Sequence, residues 1–115
     1  MNNVQIGKMG ENIAVKYLKN KKYKILDTNY RCQCGEIDII AMDNNRYVFV
    51  EVKTRKNKSY GTPAQAVNYK KLEKIYKVSK HYIQNKKIKT PPMRFDIIEV
   101  YYEKDIRVNH IKSIS

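Results

Sequence analysis

The sequence predicts an α/β fold: one mixed β-sheet flanked by helices, with elements in the order α-β-β-β-α-β-β. Three observations predict it. Two stretches, residues 4–21 and 62–85, carry apolar residues at helical spacing with lysines on the remaining positions. Two apolar runs, residues 36–42 and 47–53, read as buried strands and meet across Asn44-Asn45, a pair suited to a tight hairpin. A helix then separates these strands from a further strand, the pattern of a mixed sheet with helices packed on it.

The first helix, residues 4–21, sets Ile6, Met9, Ile13, Ala14, Tyr17 and Leu18 on one face, and Asn2 or Asn3 can cap it. Glu11 borders that apolar stripe, where a solvated side chain is the ordinary outcome. Residues 23–30 read as the first strand and 31–35 as a turn. The hairpin strands follow, and residues 54–61 form a basic, polar loop. Thr62-Pro63 starts the second helix, with Thr as cap and Pro in the first turn. That helix runs to residue 85, with Val67, Leu72, Ile75, Tyr76, Ser79, Tyr82 and Ile83 facing inward. Pro91-Pro92 stops helix and begins extended chain. Residues 93–102 read as a strand with Arg94 and Asp96 near its start, and 107–114 as a last short strand. With 115 residues and no repeat or linker, a single domain over residues 1–115 is expected.

Charged residues interrupt the two hairpin strands. Desolvating an unpaired ion costs several kcal/mol, so a charge inside such a run points to a site. With Asn44-Asn45 as a type I′ loop, paired positions sum to a constant. Asp43 then faces Arg46, Ala41 faces Val48, Asp38 faces Glu51 and Glu36 faces Lys53. Asp38 and Glu51 fall at a non-hydrogen-bonded pair, where Cα atoms approach to about 4.5 Å. Like charges so opposed repel. A divalent cation between them reverses that sign, and Mg²⁺ typically takes one or two carboxylates plus water and phosphate oxygens. Lys53, two residues from Glu51 on the same face, completes a set suited to metal-assisted phosphodiester hydrolysis. The plain alternative is a pair of strand-end charges reaching solvent, with Glu51 salt-bridged to a lysine.

Lys and Arg number 24 against 11 Asp and Glu, a net charge of +13, which favours a polyanionic partner such as nucleic acid. Ten tyrosines add surfaces on which bases can stack. No run approaches the ~18 apolar residues of a membrane span. The N-terminus has no apolar signal region, so a cytoplasmic protein is expected. Cys32-Gln33-Cys34 reads as two free thiols in a loop. Zinc wants four ligands, and neither His81 nor His110 belongs to a ligand-spaced pair.

Asp38 with Glu51-Val52-Lys53 resembles the signature of the PD-(D/E)xK nuclease superfamily, the restriction-endonuclease-like fold. The chain as a whole resembles the YraN-like family of small bacterial proteins. That resemblance rests on Gly7-Lys8-Met9-Gly10-Glu11-Asn12-Ile13-Ala14, Asn29-Tyr30-Arg31, Gly35-Glu36-Ile37-Asp38-Ile39-Ile40-Ala41 and Phe49-Val50-Glu51-Val52-Lys53-Thr54-Arg55. Gly61, Ala66-Val67, Lys70 and Arg94-Phe95-Asp96 extend it along nearly the whole length.

The resemblance implies a fold related to archaeal Holliday-junction resolvases. It implies a Mg²⁺ or Mn²⁺ site with Asp38, Glu51 and Glu11 as ligands and Lys53 as the catalytic lysine. It makes Gln65 and Lys70 candidates for an extra polar residue facing the site. Gln65 and Tyr69 also match the Gln-x-x-x-Tyr pattern of RecB-type nucleases. The candidate nucleic-acid contacts are Arg31, Arg55, Lys56, Lys58, Gln65 and Lys70. The expected function is a divalent-metal-dependent endonuclease acting on DNA, branched DNA included, as a possible homodimer. The alternative is a non-catalytic nucleic-acid-binding protein that keeps the fold. Glu36 is open between an added ligand and a counter-charge for Lys53.

Overall fold

Asn2 starts the first helix. Its side chain accepts from the Gln5 N–H at 2.9 Å, and the Gln5 side chain accepts from the Asn2 N–H at 3.0 Å. This reciprocal pair satisfies two donors that a helix start otherwise leaves unpaired. The computed structural model describes residues 1–57 and 69–114. The helix α1 spans Asn3–Asn20 and is followed by β1 (Lys24–Cys32), β2 (Gly35–Asp43) and β3 (Arg46–Arg55). The second helix, α2 (Tyr69–Asn85), leads to β4 (Met93–Tyr101) and β5 (Arg107–Ile111). The order is the expected one. The Thr62-Pro63 start of the second helix and Val67 lie outside the described residues.

The five strands form one sheet in the order β1-β2-β3-β4-β5. Among the described residues only β3 and β4 are parallel, with α2 in the connection between them; the other pairs are antiparallel. The helices cover opposite faces. Ala14 and Leu18 of α1 pack on Ile39, Ala41, Val48, Val50 and Ile98. Ile75, Val78, Tyr82 and Ile83 of α2 pack on Ile37, Ile40, Phe49 and Phe95. A strand buried on both faces needs apolar side chains at successive positions, which is why β2 and β3 read as apolar runs. Each such side chain contributes about 1.5–3 kcal/mol.

The structure corrects several boundaries. Tyr76, expected inward, is half exposed, and Val78 takes the inward position. The reason is phase: Ile75, Val78 and Tyr82 make the continuous stripe, and Tyr76 lies about 100° around the helix from Ile75. The turn expected at residues 31–35 shortens, since Arg31 pairs with Glu36 and Cys32 with Gly35. The last strand ends at Ile111 rather than residue 114. Ser113 takes a positive φ of 58°, and the Ile114 N–H turns back to the Phe95 carbonyl at 2.8 Å.

One irregularity decides where the site lies. Ile37 and Ile39 are two residues apart yet belong to opposite faces. Regular alternation would put them on the same face. The break sits at Asp38, opposite Asn29, which takes a φ of 53°. The pairs Thr28↔Ile39 and Tyr30↔Ile37 flank this kink.

Arg94 and Asp96 form a buried ion pair beneath α1. Arg94 donates to both carboxylate oxygens of Asp96 at 2.9 Å and to the Tyr23 hydroxyl at 2.6 Å. It also reaches Asp43 at 3.2 Å. His110 Nε2 donates to Asp96 at 2.7 Å, and the Ser113 N–H adds a further bond at 3.1 Å. Burial opposes ionisation of Asp96, but the bonds from His110, Arg94 and Ser113 win and hold its pKa below the usual carboxylate range. Among the described residues, no helix is long and apolar enough to cross a membrane.

Candidate active site

The hairpin register is the one counted from the sequence. Asp43 pairs with Arg46, Ala41 with Val48 and Ile39 with Val50. Of the two loop residues only Asn44 takes a positive φ (56°), the pattern of a type II′ rather than a type I′ turn. Beyond Ile39 and Val50 the two strands part. β2 continues along β1 through Ile37 and Glu36, while β3 continues along β4 from Glu51 to Arg55. A fork opens where Asp38 and Glu51 stand opposite each other. The Asp38 carboxylate spans its base, accepting the Val52 N–H at 2.8 Å. A side chain thus takes the donor that the next ladder bond would have used.

The fork corrects the reading of Glu36. Counting placed it across from Lys53, but that count assumes an unbroken ladder. Glu36 instead faces Arg31 on β1 and pairs with it at 2.8 Å, with both side chains exposed.

An open pocket of about 390 Å³ lies in the fork. Its lining brings together Glu11 and Gly7 from α1, Asp38 from β2, and Glu51 and Lys53 from β3. Gly10 sets how closely α1 approaches β3. A Cβ there would lie 2.9 Å from Thr54 Cβ and 3.0 Å from Thr54 Cγ2, and closer still to Thr54 Oγ1. Gly10→Ala in an open helix would stabilise by about 1 kcal/mol. Here overpacking reverses the sign, and a loss of about 1–3 kcal/mol is expected in urea unfolding.

Charge is concentrated at this point. Burial pushes the Asp38 carboxyl up to about 7; Glu51 adds to this, the Val52 N–H opposes it, and Glu11 and Glu36 raise it further. Glu51 is held by two lysines, with Lys71 Nζ at 3.0 Å and Lys53 Nζ at 3.6 Å from the same oxygen. Burial and the neighbouring Lys71 charge push the Lys53 pKa down. Glu51 is therefore salt-bridged, as the plain alternative held, but to lysines that converge on the fork rather than to one at the surface.

Lys71 is the residue that sequence reasoning missed; it settled on Lys70, which is exposed. The signal was present. Lys71 stands four residues before Ile75 and continues the inward stripe of α2 toward the site. Lys56 is exposed, and Arg31 is exposed while paired with Glu36. Arg55 turns to the fully buried Glu99 at 3.0 Å, which also accepts from Asn109. Lys58 and Gln65 lie outside the described residues, and Tyr69 is exposed. Cys32 and Cys34 are free thiols with their sulfurs 2.7 Å apart, at the β1–β2 turn and so at the opposite end of β2 from Asn44.

Among the described residues, no three His, Cys, Asp or Glu side chains enclose a metal position. The donor set still suits one class of ion. Asp38 and Glu51 are hard oxygen donors, and Glu11 borders the same pocket. Mg²⁺ and Mn²⁺ favour such donors and fill the remaining positions with water and phosphate oxygens. Burial first, and the Glu51 charge second, disfavour the ionised form of Asp38, so a cation beside it would favour ionisation.

The family described as Uncharacterised protein family UPF0102 matches residues 10–100. The chain is 52% identical over 114 residues to a UPF0102 protein of Alkaliphilus oremlandii, covering 96% of this chain and 97% of the relative. It is 48% identical over 111 residues to a UPF0102 protein of Clostridioides difficile, covering 96% of each. A UPF0102 protein of Caldanaerobacter subterraneus subsp. tengcongensis is 46% identical over 115 residues, covering 96% of this chain and 94% of the relative. A match spanning most of the chain, on a five-stranded mixed sheet between two helices, places this protein in the UPF0102 (YraN-like) family, part of the restriction-endonuclease-like superfamily.

Proposed function

We propose that this protein is a divalent-metal-dependent endonuclease that hydrolyses phosphodiester bonds of DNA, with branched DNA among its substrates. The observation that carries the reading is the fork, where Asp38 and Glu51 oppose each other with Lys53 beside them. A bound Mg²⁺ or Mn²⁺ supplies neutralisation of phosphate charge and a water of lowered pKa. Asp38, fixed by the Val52 N–H, and Glu51 would hold the ion, with Glu11 at the rim. Lys53, which lines the same pocket with its pKa lowered, would orient the attacking water or donate to the phosphate as charge develops. The net charge of +13 draws the duplex in. Cutting both strands of a branched duplex takes two sites, so the proposal includes a homodimer.

The test is cleavage of linear, flapped and four-way DNA with Mg²⁺ or Mn²⁺. The native protein is expected to cut at least one substrate. Glu51→Ala is expected to fall by about 10²–10³-fold, the scale set by losing a group that stabilises transition-state charge. Equal cleavage by the mutant would assign the activity to a contaminant.

A second reading is favoured by the Glu51 pairing with Lys71 and Lys53, which partly neutralises the fork from within. It makes the protein a nucleic-acid-binding module without chemistry. Calorimetry separates the two: the module binds DNA with steep salt dependence and takes up no divalent ion.

A further inference from the structure

Glu51 would be a metal ligand, yet in this structure its Oε1 faces an ammonium at 3.0 Å. That ammonium belongs to α2, an element outside the hairpin that carries the other acidic groups. A second ammonium, Lys53, stands 3.6 Å from the same oxygen. The two lysines are therefore close to each other, and the carboxylate between them is what makes the arrangement favourable. Lys53 is fixed by β3, whose backbone pairs with β4 through this stretch. Lys71 lies in the first turn of the described part of α2, and its side chain is one-third exposed. Of the two side chains Lys71 is the more exposed, 34% against 24%.

A divalent ion on Glu51 would place two positive charges where Lys71 now stands. Like charges at such range repel, and the same carboxylate oxygen cannot serve both at full strength. Lys71 would have to leave. The fork then holds a cation, Lys53 and a displaced ammonium at its mouth, a concentration of positive charge that favours a phosphate.

Resting on the metal-site reading above, we propose that Lys71 is a positioning residue that acts as the site's internal counter-cation. It holds Glu51 while no metal is present, gives way to the divalent ion, and then pairs with a phosphate of the nucleic acid. The exchange couples the two ligands: metal binding frees the ammonium that the nucleic acid uses. Each ligand therefore raises the affinity for the other by the same factor.

The experiment is a set of binding titrations with no readout of cleavage. Mn²⁺ alone is titrated by calorimetry into the native protein, Lys71→Gln and Lys71→Arg, with circular dichroism and a melting curve confirming that each variant is folded. Lys71→Gln is expected to bind Mn²⁺ about two- to fivefold more tightly, the scale of removing one partly exposed ion pair. Lys71→Arg, which keeps the charge, is expected to stay near the native affinity. Binding of a short duplex is then measured by fluorescence anisotropy with and without Ca²⁺, an ion chosen to limit cleavage. Lys71→Gln is expected to weaken binding several-fold with the cation present and to change it little without. Equal or weaker Mn²⁺ binding by Lys71→Gln overturns the exchange while leaving the metal site standing. No Mn²⁺ binding by the native protein or by Lys71→Gln ends the metal-site reading itself, and the exchange with it.

Discussion

Asp96→Ala is expected to destabilise the protein by about 3–5 kcal/mol, the cost of stranding one member of a buried ion pair. Arg94 would keep its charge, since a guanidinium does not release its proton in a folded protein. It would retain only Tyr23 and the partly exposed Asp43 as partners. His110 and the Ser113 N–H would lose their acceptor in the same step. Against a total stability of about 5–15 kcal/mol, that loss is large. Urea unfolding should report it, and the melting temperature should fall by roughly 15–25 °C. A double change, Arg94→Met with Asp96→Leu, should recover much of the loss, because it removes both charges rather than one. A cost under about 1 kcal/mol for Asp96→Ala would mean that the network is not what holds β4 to β5 and α1.

Asp38→Asn is expected to stabilise the metal-free protein at pH 8 while abolishing the proposed cleavage. The native carboxyl titrates at about 7, raised above the unfolded value of ~3.9. A carboxyl raised on folding binds its proton more tightly in the native state. Its stabilising effect is therefore complete below the unfolded value and is lost as pH rises toward and through 7. The loss by pH 8 is on the order of 2–4 kcal/mol. Asparagine has the same shape, can accept the Val52 N–H, and carries no charge. Melting curves from pH 4 to 8 should therefore slope downward for the native protein and run flatter for Asp38→Asn. Adding Mg²⁺ should flatten the native curve as well. Asp96 works in the opposite sense: its pKa is lowered, so its contribution is present above ~3.9 and lost as pH falls through the folded value. A native curve with no downward slope toward pH 8 would show that Asp38 is solvated like any surface carboxylate.

How far the sequence could be read depended on how local each determinant is. Asp38 and Glu51 were legible because a two-residue turn fixes the register, and counting outward needs no tertiary knowledge. Glu36 was misplaced by the same method, because the ladder stops at a kink that involves Asn29 on another strand. Nothing in residues 36–53 announces that kink. Glu11 was suggested by family resemblance alone, since its position on α1 is equally that of a solvated residue. Lys71 could have been found from the phase of α2, but Ile75, Val78 and Tyr82 fix that phase, and reading Tyr76 as inward blurred it. Arg94 and Asp96 were visible as charges near a strand start. Tyr23 lies 71 residues from Arg94, and no two-residue turn fixes the register that brings His110 to Asp96, so the buried network was not.

The fork also separates what folds the protein from what the charges do. Past Ile39 and Val50, β2 is held by β1 and β3 by β4, and the cores lie under α1 and α2. No strand depends on Asp38 being ionised. Selection on folding therefore sees the strands, selection on chemistry sees the charges, and the two can drift apart over evolutionary time. A lineage freed from the need for chemistry would gain stability by giving up the acid at position 38.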